Sequence, residues 1–124
     1  MKEQKFSLTK RIKSFVYAFN GLSVLLREEH NFRIHLVATL VVFLAAIYFQ
    51  LSTIESVLLV LTVGFVLVAE AFNSAIENIA DFISSEKHEK IKRIKDIAAA
   101  AVFISALAAL SIGLLIFVPK IIKL

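Results

Sequence analysis

The sequence has no cysteine and no tryptophan, a single proline and only three glycines in 124 residues. Without cysteine there are no disulfides and no thiolate metal sites. Between Gly64 and Gly113 there is no glycine. Any nucleotide site in that stretch is therefore not a P-loop, whose glycines let backbone amides wrap phosphates. Charge is scarce too: 19% of residues are charged, against roughly 25% in ordinary soluble domains. The first 31 residues hold no early apolar run and no small-residue cleavage pattern, so they do not read as a cleavable signal, and the whole chain is expected to persist.

What is abundant is apolar surface. Hydrophobic residues make up 59% of the chain, with eleven Phe and two Tyr. A soluble domain of this size cannot bury so much, because small domains leave much of their surface exposed. The composition predicts an all-α, polytopic integral membrane protein of one domain.

Three spans are expected. Residues 97–118 carry no charge over 22 positions, about 33 Å of helix against a hydrocarbon core of ~30 Å. Pro119 is expected to end this helix, with Lys120 and Lys123 at the interface. A first span falls at about 34–49, with His35 near its start and Tyr48 and Phe49 at the far interface. A second falls at about 54–69. No Pro or Gly breaks the chain from Phe65 to Ile83, so that helix is predicted to continue to 83 and to leave the membrane near Glu70.

Basic residues set the orientation. Lys2, Lys5, Lys10, Arg11, Lys13, Arg27 and Arg33 precede the first span, and Lys87, Lys90, Lys92, Arg93 and Lys95 lie between the second and third. The link between spans one and two has none. The positive-inside rule then puts the N-terminus and the 84–96 loop in the cytoplasm and the C-terminus outside. No nucleic-acid partner is expected.

Residues 8–26 form a separate element. Leu8, Ile12, Phe15, Phe19, Leu22 and Leu26 recur every three or four residues, opposite Lys10, Lys13, Asn20 and Ser23. Such a basic amphipathic helix lies on an anionic lipid surface or packs on the protein's own helices.

The chemistry concentrates at Glu70, Asn73, Glu77 and Asp81. Spacings of 3, 4 and 4 put all four on one helical face. Stacked carboxylates repel one another unless cations or protons offset them. A solvated face below the membrane would explain them, but Glu70 directly follows an apolar span, and Ala71, Phe72, Ala75 and Ile76 keep the helix apolar. Ionisable groups at a membrane point to function. Hard oxygen ligands suit Mg²⁺. Glu77 is a candidate metal ligand, and Glu70, two turns away, a candidate general base, a task that suits a partly buried carboxylate. Glu28 and Glu29 offer a second acidic group, and Lys87, His88 and Lys95 a basic one. These are the parts that phosphoryl transfer requires. Lys95 and Asp96 read equally as site residues or as a snorkelling lysine beside a helix cap. His30 and His35 read as packing residues.

The stretch EAFNSAIENIAD at 70–81 resembles the signature of the small prokaryotic diacylglycerol kinase family, which includes undecaprenol kinases. YAFNGL at 17–22, EHNFR at 29–33, SEKHE at 85–89 and Lys95-Asp96 with its Ala-rich sequel to Val102 extend the resemblance over most of the chain. Phe72 and Ala80 replace aliphatic residues usual in the motif, and Ala99 stands where some members carry Ser. The resemblance implies a single lipid kinase domain over 1–124, with an N-terminal surface helix, three spans and a homotrimer whose sites are shared between subunits. It implies ATP as phosphoryl donor, Mg²⁺ as cofactor, and diacylglycerol or undecaprenol as acceptor, at the bacterial inner membrane. By position, Glu70 resembles the catalytic base, and Glu29 and Glu77 the metal ligands. Lys10, Tyr17, Glu86, Lys87, His88, Lys95 and Asp96 fall at nucleotide-site positions, and Asn73 at one that orients the reacting groups. A small cation-coupled transporter is the alternative from another class. It would carry charged groups at mid-bilayer depth in several spans.

Overall fold

The computed structural model describes residues 5–84, 86 and 88–124. Among these there are four helices and no strand: α1 Leu8–Glu28, α2 His30–Tyr48, α3 Thr53–Ile83 and α4 Glu89–Ile122. The last three are long and apolar enough to cross a membrane.

Each boundary has a local cause. Ser7 caps α1, its Oγ accepting from the Lys10 amide at 3.4 Å. Extended backbone at Glu29 (φ −109°) ends α1 and starts α2. An acid at a helix N-cap ordinarily bonds the first free amides. Glu29 makes no such side-chain bond, which leaves its carboxylate free. The α2–α3 turn is a Schellman motif: Leu51 N–H donates to the Ala46 carbonyl and Gln50 N–H to that of Ile47, both at 3.2 Å. Gln50 holds the left-handed conformation this motif needs, at φ 51°. Ser52 and Glu55 then form a capping box at the start of α3.

α3 and α4 form the main packed pair, with α2 against α3 and α1 against α2. The seam uses small and polar side chains. Ala80, Ala98 and Ser105 are buried there, and small residues let membrane helices approach closely. The Ser105 hydroxyl donates to the Val102 carbonyl of its own helix at 2.7 Å, so burying it leaves no donor unpaired. Most large apolar side chains, such as Phe65, Phe103, Leu107 and Leu115, face outward. That distribution suits lipid rather than water.

Two details differ from expectation. Pro119 does not end the last helix, which continues to Ile122. Proline removes only its own N–H, and only the final turn lies beyond it. Lys120 holds that turn against α3 through Glu55, Nζ to Oε1 at 3.2 Å. Nor is Asp96 a cap. α4 begins at Glu89, and His88 caps it by accepting the Lys90 amide on Nδ1 at 3.2 Å. The charged run from 89 to 96 contains no breaker, so the helix extends past the apolar segment.

Candidate active site

α3 has 31 residues, about 46 Å of helix, more than a ~30 Å core needs. Glu70 lies about 26 Å along it, near the edge opposite the α2–α3 turn. The face bearing Glu70, Asn73, Glu77 and Asp81 grades from interior to solvent. Glu70 is 2% exposed and Asn73 6%, Glu77 is half-buried and Asp81 exposed.

Glu70 meets three elements. His35 of α2 brings Nε2 within 3.5 Å of Oε2. The charges of Glu77 on its own helix and of Glu29 at the α1–α2 junction also act on it. Glu70, Asn73 and Glu77 thus share one face of α3, and the Glu29 carboxylate is near enough for its charge to be felt at Glu70, although the two are 41 positions apart in the chain. Asn73 donates from Nδ2 to Glu77 Oε1 at 3.4 Å, while its Oδ1 is buried with no partner. A buried acceptor without a donor costs about 1–3 kcal/mol. Carboxylates crowded near an apolar span add to that cost. An open acceptor among carboxylates is complementary to a hydroxyl or a cation that arrives from outside. Among the described residues, no three His, Asp or Glu side chains are placed to hold a metal by themselves.

A second locus is the α3–α4 connection. A cleft of about 600 Å³ is lined by Asp81, Ser84, Glu86, His88, Glu89, Ile91, Lys92, Lys95 and Asp96. Lys95 is paired with Asp81 across it, and Lys92 with Asp96 at 2.6 Å. Four of the expected nucleotide-site residues (Glu86, His88, Lys95 and Asp96) therefore share one cleft. Lys87 lies outside the described residues. Lys10 and Tyr17 are exposed on α1 and do not line the cleft.

A third feature is a trough of about 600 Å³ between α1 and α3, lined mainly by Ala18, Gly21, Leu22, Leu25, Ala71 and Ala75, with Glu29, Ser74 and Asn78 as its polar groups. It runs beside the acidic face.

Sequence reasoning missed His35. Its signal was present, an ionisable group at the start of an apolar run, but only the fold sets it against Glu70.

The chain is a three-span helical membrane protein with an acidic face at the end of its second span and a charged cleft beyond it. It belongs to the family described as prokaryotic diacylglycerol kinase, whose model matches residues 16–117. It is 38% identical to an undecaprenol kinase of Bacillus subtilis over 97% of this chain and 98% of that protein. It is 39% identical to a diacylglycerol kinase of Escherichia coli over 82% of this chain and 83% of the other. A Synechocystis diacylglycerol kinase is 36% identical over 90% of this chain, which spans 64% of that longer protein. The chain is accordingly a lipid kinase, a phosphotransferase acting on an alcohol.

Proposed function

We propose that the chain transfers the γ-phosphoryl group of ATP to a primary alcohol of a membrane lipid, with Glu70 as general base. The supporting observation is the buried pair Glu70 and Asn73, with the half-buried Glu77 beside Asn73 and the Asn73 Oδ1 open. Glu70 has the position a base needs, at the membrane edge where a lipid hydroxyl lies. The open Asn73 Oδ1 can accept a hydrogen bond from that hydroxyl as the lipid arrives, which orients the oxygen before Glu70 takes the proton. The trough between α1 and α3 offers apolar lining for a lipid chain beside these groups.

Diacylglycerol, giving phosphatidic acid, is the first candidate substrate. Undecaprenol is the second, favoured by the 38% identity to the Bacillus subtilis undecaprenol kinase over nearly the whole chain. Both present a primary alcohol at the interface and a hydrocarbon tail in the bilayer.

Mg²⁺ fits the donor set. It is usually held by one or two carboxylates plus substrate phosphates rather than by an all-protein cage. Glu29, whose carboxylate makes no capping bond, and Glu77 would hold it. When bound, Mg²⁺ neutralises phosphate charge. Lys95 and Lys92 are set to meet phosphate oxygens from the cleft, and Lys10, Tyr17, Glu86, Lys87, His88 and Asp96 complete the nucleotide site by resemblance. Because Lys10 and Tyr17 stand apart from the cleft in one chain, a homotrimer with shared sites accommodates them best. α4 offers Ala99, Ala100, Ala101 and Ala108 as small exposed residues for such contacts. Crosslinking in native membranes that yields only monomers would count against the trimer.

The protein is assigned to the bacterial inner membrane, N-terminus in the cytoplasm and C-terminus outside, with α1 on the anionic leaflet. Reporter fusions after Leu124 and within residues 86–92 test this orientation. The deciding assay is radiolabelled ATP with the purified protein and each lipid alcohol in turn. Label transferred to neither lipid would overturn the kinase reading for this chain.

A further inference from the structure

A buried general base faces a difficulty after it acts: the proton it has taken must leave a site that water barely reaches. Glu70 is nearly inaccessible. Of the groups that act on it, His35 from α2 is in contact at 3.5 Å, while Glu29 from the α1–α2 junction and Glu77 from its own helix act through their charges, and Asn73 lies on the same helical face. An amide does not accept a proton at neutral pH. Glu29 and Glu77 are the anions assigned to the metal. His35 is left, and the unprotonated nitrogen of a neutral imidazole can accept a proton from a carboxyl group beside it.

The geometry suits that exchange. Nε2 of His35 stands 3.5 Å from Oε2 of Glu70, longer than a formed hydrogen bond, as catalytic contacts often are before substrate binds. The Thr39 hydroxyl does not compete for the ring, because it donates to the His35 backbone carbonyl at 2.8 Å. The His35 side chain is 26% exposed against 3% for Glu70, so it is the more open end of the pair. It borders a groove of about 440 Å³ between α2, α3 and α4.

We propose that His35 is the positioning residue for Glu70 and takes over the proton that Glu70 removes. This rests on Glu70 being the base. As the lipid oxygen forms its bond to the γ-phosphorus, its O–H bond breaks and the proton passes to Glu70, while ADP departs with the electrons of the broken P–O bond. The proton then moves from the Glu70 carboxyl to Nε2 of His35, which restores the carboxylate. The imidazolium releases it to water through its exposed edge. Overall, alcohol and ATP give phosphorylated lipid, ADP and one proton.

The test compares His35→Ala, His35→Gln and Glu70→Gln in the full-length assembled protein, measuring lipid phosphorylation against MgATP and lipid alcohol. His35→Ala is expected to lower kcat roughly 10- to 100-fold with KM for MgATP unchanged. Added imidazole, admitted through the groove, is expected to restore much of that loss, and substituted imidazoles to rank by basicity. His35→Gln keeps an N–H for Glu70 but cannot take a proton, so it is expected to stay slow and to ignore imidazole. Full kcat in either His35 variant overturns the role of His35, as does a slow His35→Ala that no imidazole restores. If Glu70→Gln is slow while His35→Ala is not, only the His35 role fails. If Glu70→Gln is fast, the base assignment beneath it fails.

Discussion

Lys95 of α4 is paired with Asp81 of α3 across the cleft at the α3–α4 connection. The partners are 14 positions apart in the chain and both reach solvent. The pair fixes the lysine where phosphates are expected, but also occupies it. Binding of ATP would draw Lys95 from the carboxylate to the phosphates. An exposed pair is worth about 0.2–1 kcal/mol, so Asp81→Asn is expected to lower KM for MgATP by roughly two- to fivefold. Lys95→Gln is expected to raise it. Initial rates over a range of MgATP check both, and a raised KM in Asp81→Asn would mean that Asp81 itself holds the nucleotide or its metal.

Glu70 and Glu77 should separate kinetically. Glu70→Gln preserves shape and removes the proposed base, so turnover is expected to fall on the order of 10²–10⁴-fold. MgATP binding should change far less, because the base acts in the transition state. In its proposed role Glu77 is a metal ligand, so with Glu77→Gln apparent Mg²⁺ or MgATP affinity should weaken together with turnover. The measurement is lipid phosphorylation against MgATP, with assembly checked for each variant. Equal effects on KM from both substitutions would assign both residues to the metal.

The acidic face on α3 was legible because its spacing is local, and helical periodicity alone places Glu70, Asn73, Glu77 and Asp81 together. The continuity of α3 was legible for the same reason, from the lack of a breaker between Phe65 and Ile83. What pairs across helices was not. The contacts of His35 with Glu70 and of Lys95 with Asp81 depend on how α2, α3 and α4 are set against one another. Pro119 misled because a rule for helix interiors was applied to a final turn that Lys120 and Glu55 hold in place. Asp96 misled because the start of the apolar run was taken for the start of the helix.

The far end of the α3–α4 pair carries a separable prediction. Glu55 Oε1 accepts from both the Ser52 amide, at 3.0 Å, and Lys120, at 3.2 Å. Glu55→Gln keeps a capping-box side chain but loses the charge, whereas Glu55→Ala loses both. Thermal unfolding in detergent should therefore rank Glu55→Ala below Glu55→Gln. Lys120→Gln should match Glu55→Gln, and the double Gln variant should add nothing further. KM for MgATP should not move, since this pair sits opposite the acidic face. Additive losses in the double variant would show that the two side chains act independently.

Gln50 carries the clearest stability prediction. It sits in the left-handed conformation, φ 51°, at the position of the Schellman turn where glycine is usual. In that conformation a Cβ crowds the backbone, and glycine escapes the penalty. Glycine also gives the unfolded chain more freedom to lose, which offsets part of the gain. Gln50→Gly is therefore expected to stabilise the protein by about 0.5–1 kcal/mol. Gln50→Ala keeps the Cβ and serves as the control, with an expected change within about 0.5 kcal/mol. The measurement is the midpoint of reversible denaturation in mixed micelles for the three proteins. If alanine and glycine shift it alike, the effect comes from losing the Gln side chain, and the backbone at this turn is not strained. If only glycine raises the midpoint, the crowding is in the Cβ, and the turn between α2 and α3 is held by the two amide bonds of Gln50 and Leu51 against that cost.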